Sequence, residues 1–132
     1  MSNTSPVHYA NDAAAELVGI VPEEVKSGYA RVRMKIEPKH LNGLGSVHGG
    51  IVFLLADTAF AYACNSRGVQ TVAASCHITY NSPARPGDSL TATAEEKHLK
   101  GRNGIYDVLV TNQDGQDVAH FRGNSFALKT KD

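Results

Sequence analysis

The feature that most constrains this chain is an almost continuous apolar run over residues 51–64, Ile-Val-Phe-Leu-Leu-Ala-Asp-Thr-Ala-Phe-Ala-Tyr-Ala-Cys. Its Ala and Leu content favours a helix, and its apolar residues fall on nearly every face of that helix. A helix of this kind has to be wrapped on several sides by other structure. The run of 14 residues is too short to cross a membrane, which takes about 20. It therefore predicts a buried central helix.

Most of the remaining chain is predicted to form strands. Residues 29–37 alternate strictly between charged and apolar side chains, which predicts a half-buried strand with a charged outer face. Residues 20–26 are its expected hairpin partner across Ser27-Gly28. Four more strands are expected over residues 69–80, 89–99, 105–112 and 118–128. Because the joints between them are short and rich in turn residues, each is expected to pair antiparallel with the next.

Two other segments complete the organisation. Residues 11–17 join a capping residue to helix formers, and Gly19 follows, which predicts a short N-terminal helix. Residues 38–50 contain four glycines and predict an irregular loop, whose length suggests a function. The expected fold is α+β: an antiparallel sheet curled around the central helix, in one domain over residues 11–132, with an arm over residues 1–10.

Composition excludes several classes of protein. The 13 basic and 13 acidic residues balance at a pI near 7.0, so no overall field favours a nucleic acid or an anionic membrane. No secretory signal is visible, and a cytoplasmic protein is expected. Cys64 and Cys76 show no CxxC spacing, which favours reduced thiols over a disulfide or a metal site. The histidines without ligand spacing are expected to be surface or structural residues: His8, His40, His77, His98 and His120.

Asp57 is the only charge in the apolar run. Burying a lone carboxylate costs several kcal/mol unless it is paired. One interpretation is that Asp57 lies on an exposed stripe or is satisfied by Thr58 and nearby backbone groups. The interpretation that we favour is a partly desolvated carboxylate in a ligand cleft, with its pKa raised toward the range useful for a base or a nucleophile. Asp57 is therefore a candidate catalytic residue.

The sequence His48-Gly49-Gly50 leads directly into the predicted helix. Amides near Gly49 and Gly50 should point out from the positive end of the helix, where they can hold a developing oxyanion. Glycine also allows a ligand to approach the backbone closely. A glycine pair that merely fits a tight turn is the alternative. Asn42, an amide donor, and His48, a donor or orienting group, lie in the same loop and add weight to the first interpretation.

The spacing of these two features predicts an oligomer. Asp57 follows Gly49 by eight residues, so within one straight helix they are roughly 12 Å apart at about 1.5 Å per residue. That distance is too long for both to act on a single carbonyl group. If they share a substrate, they come from two chains whose helices run antiparallel, and a two-fold dimer then has two equivalent sites.

Residues 41–66 resemble a known family, through the sequence Leu-Asn-Gly-Leu-Gly-Ser-Val-His-Gly-Gly, the apolar run, and Asn-Ser. They are similar to the hotdog thioesterases of phenylacetate catabolism, the PaaI type. The similarity continues through Pro83-Ala84-Arg85-Pro86-Gly87-Asp88 and Phe121-Arg122-Gly123, and only the first ten residues lie outside it.

This resemblance implies a hotdog fold and hydrolysis of acyl-CoA thioesters, with aryl-acetyl or related acyl groups. It also implies a tetramer built from two dimers, with no cofactor besides the coenzyme A of the substrate. By motif position, it implies that Asn42 and Asp57 act together across a dimer interface and that the Gly49 amide polarises the thioester carbonyl, with His48 beside them.

Thioester chemistry agrees with these residues. A thiol with a pKa of about 8.5 leaves as a thiolate without a strong general acid. Hydrolysis then needs an oxyanion donor and a carboxylate that either attacks the carbonyl or activates water, and both alternatives stay open for Asp57. The chain has no Gly-x-Ser-x-Gly motif of a serine nucleophile.

Substrate-binding residues are predicted in two places. The CoA phosphates need cations or amides, and the candidates are Arg85 in the proline turn and Lys100, Arg102 and Asn103 in the following hairpin. The acyl group is expected beside the central helix, against Val52, Phe53, Phe60 and Tyr62. Gly50 and Thr58 are further candidates for binding the substrate. Each of these residues also suits a solvated turn or the core.

Two other functions stay open. A hydratase or dehydratase of acyl thioesters would use His48 and Asp57 as an acid and base pair. A non-catalytic acyl-CoA-binding protein would keep the pocket without turnover. The expected partners are a small acyl-CoA molecule and further copies of the chain, with no nucleic acid and no membrane.

Overall fold

The computed structural model describes residues 8–128, which form a sheet packed on one long helix. The elements in chain order are α1 (Ala13–Val18), β1 (Val21–Lys26), β2 (Tyr29–Lys35), a 3-10 turn (Pro38–His40), α2 (Gly49–Cys64), β3 (Thr71–Tyr80), β4 (Ser89–Lys100), β5 (Asn103–Thr111) and β6 (Asp117–Ala127). The predicted α+β class and both helices are confirmed. Most of the arm predicted over residues 1–10, and the last four residues of the predicted domain, lie outside the described residues.

The six strands form one antiparallel sheet in the order β1-β2-β4-β5-β6-β3. The predicted hairpins β1–β2, β4–β5 and β5–β6 are confirmed. The predicted pairing of β3 with β4 is wrong, because β3 pairs with β6 at one edge and β4 lies between β2 and β5. The connection over residues 81–88 carries the chain past β6 and β5, roughly 14 Å at about 4.8 Å per strand. Such a segment spans that distance easily.

The core lies between α2 and the inner face of the sheet. The sequence predicted which alternate residues of β2, and of the residue after it, face the core, and this is confirmed. Those residues are at most 2% exposed: Ala30, Val32, Met34 and Ile36. From α2, the Phe60 ring packs against Tyr106 and Phe121, with ring centroids 5.5 and 5.8 Å apart. A Cβ atom on Gly123 would come within 2.7 Å of the Phe60 ring. Only glycine therefore lets β6 approach the helix this closely.

The caps predicted for α1 are confirmed, and α2 has an N-cap that the sequence analysis did not predict. Asp12 caps α1, where its side chain accepts from the Ala15 N–H, and Gly19 ends the helix with φ of 88°. Helix α2 begins at Gly49, two residues before the predicted start, because His48 acts as its N-cap.

The loop before α2 is anchored by a buried histidine. His40 is 1% exposed. Its Nδ1 accepts from the Glu37 N–H at 2.9 Å, and its Nε2 donates to the Val18 carbonyl at 2.8 Å. Since one ring nitrogen accepts and the other donates, the ring is neutral with its proton on Nε2. His40 is therefore structural, and it ties the loop to the end of α1.

Candidate active site

Asp57 lies near the middle of α2, on the side that the sheet leaves open. A half-exposed stripe runs along this side and includes Phe53, Leu54, Asp57 and Ala61. Their spacing of three and four residues puts them on one face of the helix. Asp57 is half-buried, and no group within residues 8–128 donates a hydrogen bond to it. Asp57 is therefore neither fully exposed nor hydrogen-bonded by Thr58.

Two effects raise the pKa of Asp57 above the ordinary value for aspartate. The larger is burial, and the second is repulsion from the Asp12 carboxylate at the start of α1. No cation among the described residues offsets them. A raised pKa makes the carboxylate a stronger base near neutral pH. The sequence predicted the direction of this shift, but it did not identify Asp12.

The first turn of α2 leaves one backbone amide free. His48 Nδ1 accepts from the Gly50 N–H at 2.9 Å, so the neutral ring carries its proton on Nε2. The Ile51 N–H donates to the His48 carbonyl at 2.9 Å. The Gly49 N–H has no acceptor in the part of the chain that the structure describes. This amide lies at the positive end of the helix and is available to a ligand.

Tyr80 is a contact of this turn that the sequence analysis missed. It lies at the end of β3, and its hydroxyl donates to the Gly49 carbonyl at 2.8 Å. A Cβ atom on Gly49 would meet the same hydroxyl oxygen at 3.2 Å. Tyr80 therefore holds the peptide that follows the free amide. No local pattern predicts this contact, because it depends on where β3 lies beside α2.

Asn42 organises the loop that precedes the helix. Its Oδ1 accepts from the Leu44 N–H at 2.8 Å and the Ser46 N–H at 3.2 Å, and its Nδ2 donates to the Ser46 hydroxyl at 3.2 Å. The adjacent residues, Leu41 and Val47, form an isolated antiparallel bridge. The structure thus shows a loop-forming role for Asn42, while its predicted contact with substrate stays a prediction.

One chain contains two separate halves of the predicted site. Gly49 and Asp57 lie in one helix, Gly49–Cys64, which separates them by roughly 12 Å along its axis. A cavity of about 290 Å³ adjoins Gly49, and Val47, Tyr80 and Pro83 line part of it, but Asp57 does not. The two halves therefore do not meet within one chain.

The residues predicted to hold the CoA phosphates are all exposed. The Arg102 guanidinium already makes hydrogen bonds within the chain, since it donates to the carbonyls of Ala127, at 2.9 Å, and Leu128. It also lies over the Phe126 ring, 4.7 Å from the centroid. The Arg85 guanidinium makes no hydrogen bond or ion pair to any described residue. Contacts of Arg85, Lys100, Arg102 and Asn103 with substrate stay predictions.

The residues predicted to line the acyl group lie on different faces of α2. Thr58 is 2% exposed and donates to the Leu54 carbonyl at 2.7 Å, and Phe60 is in the core. Phe53 is half-buried on the open side, with its ring 5.5 Å from that of Phe121. Gly50 is exposed beside His48. Their contacts with substrate also stay predictions, and Phe53 and Gly50 are the two that a ligand on the open side of α2 would reach.

A larger cavity, of about 570 Å³, lies on the outer face of the sheet, lined in part by His77, Asp107 and Arg122. Arg122 and Asp107 form a two-pronged ion pair there, with distances of 2.6 and 2.8 Å. Neither Gly49 nor Asp57 lines this cavity. Because neither of the two predicted catalytic groups lines this cavity, its size alone does not make it the candidate site.

The two thiols are free, as expected. Burial raises the pKa of Cys64 to about 12 and also raises that of Cys76, so both are protonated near neutral pH. Across residues 8–128, no three His, Cys, Asp or Glu side chains are grouped to hold a metal ion. None of the described helices is long and apolar enough to cross a membrane.

Comparisons with known proteins agree on one family. A family model described as the thioesterase superfamily matches residues 44–119. The acyl-coenzyme A thioesterase PaaI of Escherichia coli is 48% identical over 120 residues, which cover 91% of this chain and 86% of that protein. The solved structure of the E. coli PaaI protein, from the phenylacetic acid degradation operon, superposes with a TM-score of 0.89 at 45% identity, covering 92% of this chain and 88% of that one.

A more distant structure, from Streptococcus mutans, was solved with acetyl CoA bound. It superposes with a TM-score of 0.82 at 27% identity, covering 86% of this chain and 92% of that one. The similarity to these proteins extends over the loop, α2 and most of the sheet.

Proposed function

The chain belongs to the thioesterase superfamily and is a thioester hydrolase, and from that premise we propose that it cleaves acyl-CoA to a free acid and coenzyme A with Asp57 and Gly49 as its catalytic groups. The observation that carries the assignment is the pairing of a free helix N-terminal amide with a half-buried carboxylate in the same helix. The proposed reaction uses no cofactor beyond the coenzyme A of the substrate.

The proposed chemistry begins at the thioester carbonyl. Its oxygen accepts from the Gly49 N–H, which stabilises the negative charge that develops when the carbonyl carbon is attacked. In one version Asp57 takes a proton from water, hydroxide adds to the carbon, the C–S bond breaks and the proton passes to the thiolate. In the other version Asp57 itself attacks the carbon, and the C–S bond breaks to release the thiolate. Water then hydrolyses the resulting anhydride, which frees the acid and Asp57, and the proton released passes to the thiolate. Both versions need the carboxylate ionised.

We further propose that each site is shared by two chains. Strand β3 is an edge strand of the described sheet, and Cys76, Ile78 and Tyr80 share the parity that faces α2. An edge beside a half-exposed apolar helix face is suited to pairing with a second copy. In a two-fold dimer with antiparallel α2 helices, Gly49 of one chain lies near Asp57 of the other. The tetramer and the cytoplasmic location stay predictions.

The acyl group that we propose is aromatic. Support comes from the E. coli relative, which is described as a protein from the phenylacetic acid degradation operon. Phe53 is a half-buried aromatic side chain on the open side of α2, and it suits a ring-shaped acyl group.

A steady-state panel tests this function. Purified protein is mixed with phenylacetyl-CoA, acetyl-CoA and a long-chain acyl-CoA, and free thiol is measured with a thiol reagent. We expect thiol release, fastest with the aromatic substrate. A change in the chromophore of an enoyl-CoA without thiol release would instead support a hydratase. Binding of acyl-CoA without either reaction would support a non-catalytic protein.

Mixed dimers test the shared site. Asp57→Asn and Gly49→Pro subunits are purified separately, each with little activity, then unfolded, mixed and refolded. In a mixed dimer, one site combines the intact Gly49 of one subunit with the intact Asp57 of the other. Random mixing of a shared-site dimer should restore about a quarter of the parent activity. If mixing restores nothing while refolded parent protein recovers fully, the shared site is wrong.

A further inference from the structure

The cavity of about 290 Å³ that adjoins Gly49 lies directly beside the free amide of the proposed site. Gly49 lines this cavity, which we call the Gly49 cavity, so a substrate carbonyl held by the Gly49 N–H has it as a neighbour. Four of the other lining residues are apolar and at most 7% exposed: Val47, Val52, Ala84 and Val118. They belong to the loop before α2, to α2 itself, to the connection after β3 and to β6. The cavity is therefore formed by the packed fold and not by one loop.

The ring of Tyr80 forms a wall of the Gly49 cavity. A Cβ atom on Gly49 would lie 3.3 Å from Tyr80 Cζ and 3.6 Å from Cε1, so the ring itself lies against Gly49. The hydroxyl holds the ring in place, since it donates to the Gly49 carbonyl at 2.8 Å. Tyr80 is nevertheless 50% exposed, in contrast to the buried valines around the cavity. Removing the ring therefore opens the cavity to solvent without leaving a void in the core.

Polar groups around the cavity already have partners. The Val118 carbonyl accepts from the N–H groups of Asn81 and Ser82, at 2.8 and 3.3 Å. The Ser82 hydroxyl donates to the Asp117 carbonyl at 2.7 Å. The pantetheine arm of coenzyme A carries amide groups, which need hydrogen-bond partners wherever they are buried. An acyl group needs no donor beyond the one at its carbonyl, so the Gly49 cavity suits the acyl group better than the pantetheine arm.

From these contacts we propose that the acyl group of the substrate occupies the Gly49 cavity and that the Tyr80 ring limits the size of the acyl group that the enzyme hydrolyses. The inference rests on the proposed role of Gly49 as the donor to the thioester carbonyl. It goes beyond that proposal, because it makes Tyr80 a specificity-determining residue. Val52, which the sequence predicted to lie against the acyl group, lines the cavity, whereas Phe53 does not.

The volume of the cavity indicates a small acyl group. Pockets for drug-sized ligands usually measure roughly 300–1,000 Å³, and the Gly49 cavity, at about 290 Å³, lies at the lower end. It suits a short chain or a single ring, such as that of phenylacetyl-CoA, and not a long chain or fused rings. A larger group has to displace the Tyr80 ring, and with it the hydroxyl that holds the Gly49 peptide. Oversized substrates should therefore lose kcat as well as affinity.

The test compares two acyl groups in three proteins. Thiol release gives kcat/KM for phenylacetyl-CoA and for naphthylacetyl-CoA, and the ratio of the second value to the first reports the tolerance for a larger ring. Tyr80→Ala removes the wall, and it should raise this ratio at least about tenfold over the parent. The matched control is Tyr80→Phe, which loses the same hydrogen bond but keeps the ring, so its ratio should equal that of the parent. Losses that both substrates share cancel in the ratio.

Three results would overturn the inference. The first is an unchanged ratio in a Tyr80→Ala protein that thermal unfolding shows to be folded, including the case in which both substrates lose affinity equally, as expected if the pantetheine arm lies in the cavity. The second is an equal rise in Tyr80→Phe, which would assign the effect to the hydroxyl. The third is a rise in Phe53→Ala alone, which would place the acyl group on the open side of α2. If Tyr80→Ala does not fold, Val47→Ala widens the same cavity from the loop and takes its place.

The two proposals can fail separately. If the parent protein hydrolyses acyl-CoA but the ratio does not respond to Tyr80→Ala, only the location of the acyl group is wrong. If the parent releases no thiol from any acyl-CoA, the proposed function fails. Calorimetry then gives the dissociation constants of the same two acyl-CoA molecules, and their ratio in the parent, Tyr80→Ala and Tyr80→Phe decides whether Tyr80 limits the size of the bound group.

Discussion

The two halves of the site lie in the same helix but are built in different ways. At the start of α2, residues 48–51 form the turn that carries the free Gly49 amide, which we call the donor turn. Its hydrogen-bond partners are mostly neighbours in sequence: His48 caps Gly50, and the His48 carbonyl accepts from Ile51. In the middle of α2, Asp57 has no such partners among the described residues. Its surroundings come from distant segments, with Asp12 before α1 and Cys76 in β3.

This difference separates two kinds of catalytic group. The position of the free Gly49 amide follows from how any helix begins, so changes elsewhere in the fold should affect it little. The basicity of Asp57 follows from burial and from a second carboxylate, so it depends on how several segments pack. The donor is thus a property of local backbone geometry, and the carboxylate is a property of the tertiary structure.

The largest effect that the comparison predicts is at Asp57. The variant Asp57→Asn keeps the size of the side chain and removes the base or nucleophile, so kcat/KM should fall about 10³-fold. Thiol release from phenylacetyl-CoA measures it. The control is Asp114→Asn, which removes an exposed charge from the turn between β5 and β6 and should leave the rate unchanged. Full activity in Asp57→Asn would reject the catalytic assignment.

The same variant should not lose stability. Because burial and Asp12 raise the pKa of Asp57 in the folded state, the folded protein binds more protons than the unfolded chain between the two pKa values. Ionisation of Asp57 therefore lowers stability as pH rises through that interval. Asparagine removes this cost, so Tm of Asp57→Asn should exceed that of the parent at neutral pH and approach it at acid pH. Thermal unfolding at both pH values separates lost chemistry from lost fold.

The second-largest loss of activity is expected at Gly49, and two substitutions of that residue test it. Proline is favoured in the first turn of a helix and lacks the N–H, and His48, with φ of −60° and ψ of 132°, already has the conformation that precedes proline. Gly49→Pro should lower kcat about 10²- to 10³-fold. Gly49→Ala adds the same Cβ contact with Tyr80 but keeps the N–H. Equal losses in both variants would assign the effect to that contact instead of to the amide.

Much of the donor end was predictable from sequence, because its determinants are local. The run of residues 51–64 predicts the helix, and His48-Gly49-Gly50 predicts free amides at its start. Asp57 was also identifiable, as the one charge in an apolar run. The curled antiparallel sheet followed from alternation and turns, apart from the pairing of β3.

The rest depends on contacts between distant segments. The position of β3 at the sheet edge was not predictable from the length of its connection to β4, and the contact of Tyr80 with Gly49 follows from that position. The repulsion between Asp12 and Asp57 spans 45 residues of sequence. Arg102 looked free for a phosphate because sequence does not show that it donates to the carbonyls of Ala127 and Leu128.

A third and smaller effect is expected at the cap of α2. His48→Ala leaves the Gly50 N–H without its acceptor and should lower the free energy of unfolding by about 1 kcal/mol. His48→Asn supplies another capping oxygen and should restore most of that loss. Urea unfolding measures both variants. If activity follows stability across the pair, His48 acts through the helix start. If Asn restores stability without restoring turnover, His48 has a chemical role of its own, as in the hydratase alternative.

The smallest effect is expected at Tyr80, which makes a long-range contact with the donor turn. Tyr80→Phe removes the hydrogen bond to the Gly49 carbonyl but keeps the ring. The side chain is 50% exposed, so water can replace the lost donor, and the cost should be about 0.5 kcal/mol in stability, with only a few-fold loss in kcat. Tyr29→Phe, which removes a hydroxyl from β2, is the control. A loss in Tyr80→Phe as large as that in Gly49→Pro would mean that β3 positions the donor, and both halves of the site would then depend on tertiary packing.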